Sequence, residues 1–491
     1  MEHLKRNLFE DRIDVAEPEK KPRSRQSQLG QYFTPESIAS FMAGLFVPLP
    51  PKVSLLDPGA GSGALTVAFV AKAREVGYRG SVRVDAFEKD GHVLPDLNAK
   101  LKAFEGPKVS TEVHAADFVR SAVTSIKLGR GNRYTHCIMN PPYMKIGTGS
   151  EARGLLRAIG LETVNMYSGF VGLALDLIAD GGELVAIIPR SFCNGPYYQP
   201  FRKFIFKRAT ILHIHLFESR NKAFKSDGVL QENIIIHLKR GQPQGNVKVS
   251  TSTDGTFSDY EEANYDFSKI VYPDDDEQFI HIPTAGANEL LASQAFAHKL
   301  KDLGLAVSTG PVVDFRMRED MCEPEDADAI PLLYSSHFVD DDLVWPKENF
   351  KKSNAIRRDA STEKWFYPLG FYSVIRRFSS KEERRRIVAN LLDPAKLPAC
   401  EVVGLENHLN VIHQDKRPLP EDIARGITVY LNCTAVDLYF RRFNGHTQVN
   451  ATDLRTMRFP SLDTLRDLGA WSKKQGRLSQ EQIDAKIDSI A

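Results

Sequence analysis

Cysteine is scarce in this chain. Its 491 residues hold five, at Cys137, Cys193, Cys322, Cys400 and Cys433. None forms the close pair that a zinc site uses, and no disulfide framework is expected. Buried thiols are the expectation. An excess of charge is missing as well: 64 Lys and Arg against 63 Asp and Glu leave a net charge of +1. That excludes a uniformly basic coat but not a local basic face. No run of about 20 apolar residues occurs, so no membrane span is expected. The opening stretch "MEHLKRNLFEDRIDVAEPEKKPRSRQSQ" is too charged for a secretory signal. A cytoplasmic, bacterial-type protein is the simplest expectation.

What is present divides the chain. Hydrophobic residues make up 42%, enough for two domains or more. Residues 1–27 are polar and of mixed charge, and read as a flexible arm. In "GQYFTPESIASFMAGLF", Thr34 is placed to cap a helix and Pro35 to start it. Ile38, Phe41, Met42 and Leu45 then repeat at helical spacing. Short apolar strands follow at 53–57, 82–88, 135–140, 183–189, 209–217 and 233–238. A helix after the glycines runs through Val76, and another over 167–182 is stopped by Gly181 and Gly182. This alternation predicts an α/β domain over 28–242, with a doubly wound, mostly parallel, Rossmann-like sheet and an antiparallel edge. Residues 243–285 are acidic and turn-rich and read as a linker. Residues 286–465 lack the rhythm and read as a mixed α+β domain, with a helical tail at 466–491.

The loop "DPGAGSG" puts Gly59, Gly61 and Gly63 between a strand and a helix. Glycine lets backbone approach a ligand closely. The spacing is not that of a dinucleotide site, and Asp57 with Pro58 would oppose a pyrophosphate. A ligand with a cationic end suits Asp57 better. The next strand ends at Glu88, a carboxylate that can accept both hydroxyls of a ribose. "HAADFV" puts Asp117 and Phe118 at a third strand end, where an acid can accept from an adenine amine and a ring can cover its face. Glycine loop, ribose acceptor and adenine clamp together fit S-adenosylmethionine. Each acid alone could be a helix cap.

A fourth strand runs into "NPPY", Asn140, Pro141, Pro142 and Tyr143. An amine conjugated to an aromatic base is a poor nucleophile, because its lone pair is delocalised. Two acceptors on its hydrogens favour a tetrahedral nitrogen. Asn140 supplies a side-chain oxygen. Pro141 supplies a carbonyl whose direction the ring of Pro142 restricts. Tyr143 offers a face on which a base can stack. This is preorganised electrostatics without a covalent enzyme intermediate and without a metal.

With "GQYFTP", "DPGAGSG", "DAFEKD", "AADF" and "NPPY" in this order, the chain resembles the gamma-class amino-methyltransferases of restriction–modification systems, of the TaqI and PstI/BsuBI kind. "GGELVAIIP" and "FKSDGVLQENIII" continue the match, which covers about 28–240. The resemblance implies that Tyr32, Phe33 and Thr34 hold the methionine part of the cofactor. It implies that Phe224, or Phe217, stacks on a flipped base; Lys225 belongs to a basic stretch, 202–240, that offers DNA contacts. It implies methylation of adenine N6 or, as the alternative, cytosine N4. It also implies double-stranded DNA as substrate, a companion restriction endonuclease, and a short palindromic site such as CTGCAG. An RNA or protein methyltransferase is the rival reading. Monomer and dimer both remain open.

A base inside a duplex must be swung out to reach such a pocket. Phosphate contacts must supply much of the energy. Lys351 to Lys396 holds 12 Lys and Arg against 5 Asp and Glu, interleaved with aromatics. Arg376, Arg377, Arg384 and Arg385 are the candidate contacts there. The same stretch also reads as a solvated amphipathic helix with Glu382 pairing Arg386. A second basic stretch, 202–240, includes Arg202. His446 and Gln448 in "NGHTQ", and Glu406, Asn407 and His408 in "VGLENHLNVIH", could hydrogen-bond base edges or merely turn the chain.

Overall fold

A computed structural model describes residues 34–131, 133–218, 232–283 and 294–490. The N-terminal arm, Tyr32, Phe33, Phe224 and Lys225 lie outside the described residues.

The alternating segments form one nine-stranded sheet in the order β3-β2-β1-β4-β5-β7-β6-β8-β9. Its strands are β1 (Lys52–Pro58), β2 (Ser81–Glu88), β3 (Val109–Ala115), β4 (Tyr134–Met139), β5 (Ile178–Pro189), β6 (Ala209–Phe217), β7 (Asn233–Arg240), β8 (Asn246–Ser252) and β9 (Glu261–Asp266). β1 to β5 pair in parallel, while β7 runs antiparallel between β5 and β6. The helices are α1 (Glu36–Gly44), α2 (Ala64–Glu75), α3 (Leu94–Phe104), α4 (Phe118–Lys127), α5 (Glu151–Arg157), α6 (Met166–Leu177) and α7 (Gln199–Arg208).

Helices cover both faces, which is why the central strands are apolar without alternation. In β4, Cys137 and Met139 pack toward α4 and α6, and Ile138 packs toward α1 and α2. The strand order reverses between β1 and β4. Their carboxyl ends therefore flank a crevice where an open α/β sheet binds ligands.

Three expectations need correction here. Thr34 does not cap α1: the residue before the helix is Pro35, and no side chain caps it. The helix expected to run to Gly182 ends at Leu177, and β5 begins at once. The stretch read as a linker is part of the sheet. β8 pairs in parallel with β6 and buries Val247 and Val249, and β9 closes the edge. Its acidic composition is that of an exposed edge strand, where charge discourages further pairing.

The remaining chain is mixed α and β. One sheet orders Ala306–Thr309, Leu409–His413, Tyr372–Arg376 and Ala389–Leu392, all antiparallel. A second, five-stranded sheet includes Ala329–Leu333 and Val402–Leu405. The arginine-rich stretch is therefore a strand, a loop and a strand, not an amphipathic helix. The C-terminal segment is helical, but it is no tail. Helix Leu462–Gln475 crosses helix Glu421–Leu431 closely through two glycines. A Cβ on Gly426 would fall 1.9 Å from the Leu465 carbonyl oxygen, and one on Gly469 would fall 1.8 Å from that of Asp422. Leu465 and Leu468 are buried in this crossing. Among the described residues, no helix is long and apolar enough to cross a membrane.

Candidate active site

The turn after β1 places its glycines at φ values of +74°, +55° and +84° for Gly59, Gly61 and Gly63, where other residues would be strained. Gly63 has no room either, since a Cβ there would lie 2.9 Å from Leu97. The amides of Gly59 and Ala60 both donate to the Phe87 carbonyl, at 2.8 and 2.9 Å. The loop is thus fastened to the end of β2. Glu88 fastens it further: one carboxylate oxygen accepts from the Gly61 amide at 2.9 Å, and the other from the amides of Lys89 and Asp90 at 2.8 Å each.

Asp57, the last residue but one of β1, has no solvent exposure. One oxygen accepts from the Thr66 hydroxyl at 2.7 Å, and the other, Oδ1, has no partner. Burial pushes its pKa up to about 7, opposed in part by Thr66 and helped by the charge of Glu88. A buried, half-satisfied carboxylate is costly alone and is relieved by a cation.

Asn140 stands at the carboxyl end of β4. Its amide nitrogen donates to the Thr34 hydroxyl at 3.0 Å. The Tyr143 hydroxyl lies 2.7 Å from Asn140 Oδ1 and 3.0 Å from the Ile187 carbonyl oxygen at the end of β5. A phenol has one proton, so it serves one of these acceptors at a time. Thr34, Asn140, Tyr143 and the end of β5 are thereby one connected set.

This geometry has relatives. A family model of Eco57I restriction-modification methylases matches residues 83–224. The type II methyltransferase M.BsuBI of Bacillus subtilis is 47% identical over 475 residues, covering 95% of this chain and 94% of that protein. The chain belongs to this type II methyltransferase family. M.PstI of Providencia stuartii is 38% identical, covering 98% of this chain and 96% of its own. A DrdV–DNA complex solved by cryo-electron microscopy superposes with a TM-score of 0.51 at 14% identity, covering 91% of this chain and 57% of that one. At that identity it speaks for the fold alone.

The cofactor of this fold is S-adenosylmethionine, and the residues of the methyltransferase fit it. The unpartnered Oδ1 of Asp57 suits an ammonium group. Glu88 is held rigidly at the carboxyl end of β2 by three backbone amides. The structure revises the adenine end. Asp117 caps α4 by accepting from the Arg120 amide at 3.2 Å, with Lys89 3.8 Å away. Phe118 is 3% exposed and packs between the rings of Phe87 and Phe170. It is a core residue rather than an open cover. Phe170 lies 3.5 Å from where a Gly59 Cβ would stand, which makes it the ring at the loop. Another set, Asp85, Glu112 and His114, brings three possible metal ligands together. Asp85 already accepts from Tyr134 at 2.8 Å and pairs with Arg83.

Beyond β5 the sheet meets the mixed α and β remainder of the chain. Arg190 is buried and pairs with buried Glu232 at 3.3 Å. It also donates to the carbonyls of Arg441, at 2.7 Å, and Arg442, the last turn of helix Thr434–Phe443. A cation there complements the helix dipole. Asn194 donates to Asp453 at 3.1 Å across the same boundary. Gly445 packs so tightly on Arg190 that a Cβ would lie 2.8 Å from its carbonyl.

Several expected DNA contacts serve this architecture instead. His446 lies against Tyr198 and Gly195, and burial pushes its pKa down to about 4. Gln448 is tied by its carbonyl to Asn444, at 2.9 Å. Arg385 donates to Gln480 and to the Cys433 carbonyl, and so holds helices together. Arg386 is fully buried and donates to Ser379, Asn444 and the His446 carbonyl. Arg202 is also fully buried, on carbonyls of Phe192, Gly195 and Glu277. Arg376 pairs with Glu383. Arg377 donates to the Asn407 carbonyl at 3.1 Å, and Arg384 is exposed.

Proposed function

We propose that this methyltransferase modifies DNA at a specific site, moving a methyl group from S-adenosylmethionine to N6 of an adenine flipped out of the duplex. On this reading it is the modification enzyme paired with a type II restriction endonuclease. The observation that carries the proposal is Asn140 at the end of β4, beside the β1 glycine loop, with its carboxamide held by Thr34 and Tyr143.

Bound S-adenosylmethionine supplies an electrophilic methyl group. The chain prepares the nucleophile. Asn140 Oδ1 accepts one hydrogen of the target amine. The Pro141 carbonyl accepts the other. Together they draw the nitrogen lone pair out of conjugation, and the surplus proton leaves along one of these hydrogen bonds to water. Burial around the site strengthens both contacts. Glu88 and Asp57 fix the donor, so that the reacting atoms are aligned before the step. The amine of cytosine meets the same two acceptors, which keeps N4-cytosine as the second reading.

The test is transfer of labelled methyl to unmethylated duplex DNA, compared with RNA and protein. The expected product is N6-methyladenine at one recurring sequence, with CTGCAG the first to examine. Label in RNA or protein, and none in DNA, contradicts the proposal. N4-methylcytosine in the hydrolysed DNA replaces it with the second reading.

A further inference from the structure

Four loops converge on one edge of the second domain. The turn at Glu406 to His408 lies at the centre. The Asn407 amide donates to the Val312 carbonyl at 2.9 Å, which brings in the loop carrying exposed Phe315, Arg316 and Arg318. The Arg377 amide donates to the His408 carbonyl at 2.8 Å, and the Phe378 ring lies 4.8 Å from that of His408. The Ser379 amide donates to the Thr447 carbonyl, which brings in the fourth loop. The third of these loops continues to Lys381, 3.8 Å from Glu232, which pairs with Arg190 where β5 leaves the catalytic crevice. This edge is therefore continuous with the rim of the active site.

Glu406 is the unusual member. Its side chain is fully buried, yet both oxygens go to one residue. Oε2 accepts from the His408 amide at 2.9 Å, and Oε1 meets His408 Nδ1. The His408 side chain keeps 43% of its surface open. A carboxylate accepts, so Nδ1 carries a proton and is committed. Nε2 is then the ring atom left for a ligand, and its direction is fixed from beneath.

We propose that His408 reads a base edge of the target duplex through Nε2, with Glu406 as its positioning residue. This rests on the DNA reading above. A histidine so held meets purine N7 or O6 as donor, or an exocyclic amine as acceptor, and discriminates at one base pair. The flanking arginines and lysine suit phosphate contacts, which position without discriminating.

The test maps methylated positions in random-sequence duplex DNA by sequencing, with wild type, His408→Ala, Glu406→Gln and the double variant. Cofactor binding and circular dichroism are recorded for each. His408→Ala is expected to fold normally, bind cofactor normally and lose discrimination at one base pair by about tenfold or more. Glu406→Gln is expected to relax the same base pair, with no further loss in the double variant. A His408→Ala enzyme with wild-type discrimination at every position overturns the proposal. So does Glu406→Gln acting at a different position from His408→Ala. If wild type methylates no DNA, the function reading falls first and this proposal with it.

Discussion

The Thr34 hydroxyl lies 3.0 Å from the carboxamide nitrogen of Asn140, a residue 106 positions away. By occupying the nitrogen it turns the oxygen of the same group toward Tyr143. Thr34 therefore orients the Asn140 amide. Thr34→Ala is expected to lower kcat about five- to tenfold, the worth of one such hydrogen bond. The cofactor Kd should change less than about twofold, and Thr34→Ser should restore most of the rate. A loss confined to cofactor affinity would instead return Thr34 to the methionine end of the donor.

Asp57 gives a pH dependence with a definite sign. Its carboxyl has a pKa of about 7 in the folded chain against 3.8 as its ordinary value. Between these values the folded state holds a proton that the unfolded state has lost. This group's contribution to stability therefore falls as pH rises from about 4 to about 7 and is flat above that. A cationic ligand end at Asp57 favours the charged form. Cofactor binding near pH 6.5 should release a proton, seen by calorimetry in two buffers of different ionisation heat. Asp57→Asn should abolish that release and flatten the stability slope.

The crossing of helices Glu421–Leu431 and Leu462–Gln475 should tolerate no side chain at its closest point. In an open helix Gly→Ala is favourable by about 1 kcal/mol. Here the new Cβ at Gly426 meets backbone 1.9 Å away. Gly426→Ala is expected to destabilise the protein by about 3 kcal/mol in urea denaturation, opposite in sign to propensity.

Two neighbouring arginines should behave differently. Arg384 is exposed, and Arg384→Ala is expected to lower the salt slope of DNA binding by about 1, with stability unchanged. Arg385 is bound to Gln480 and Cys433. Arg385→Ala is expected to lower the thermal midpoint and leave the salt slope alone.

These two residues also show what the sequence could tell. Composition shows that an arginine is present, and it says nothing of whether carbonyls have already taken its donors. Hence Arg385 and His446 read as candidate DNA contacts and are held in the architecture instead, as are their basic neighbours Arg386 and Arg202. The catalytic strands were legible because strand, glycine loop and strand-end acid recur in order along the chain. The place of Asn140 just past the end of β4 was legible because an apolar strand there runs into two prolines. Thr34 was placed near the cofactor by resemblance and at a helix start by propensity. Its bond to Asn140 was invisible, because it is made across the fold. The strands β8 and β9 were hidden for another reason: β9 is an exposed, polar edge strand, and β8 beside it alternates valines with polar residues, so their composition imitates a loop.

The most direct measurement is methyl transfer by Asn140→Ala under single-turnover conditions, alongside cofactor binding by calorimetry. The two-acceptor account predicts cofactor affinity within about twofold of wild type and a transfer rate lower by about a hundredfold or more. Transfer at the wild-type rate with Ala at position 140 would contradict it.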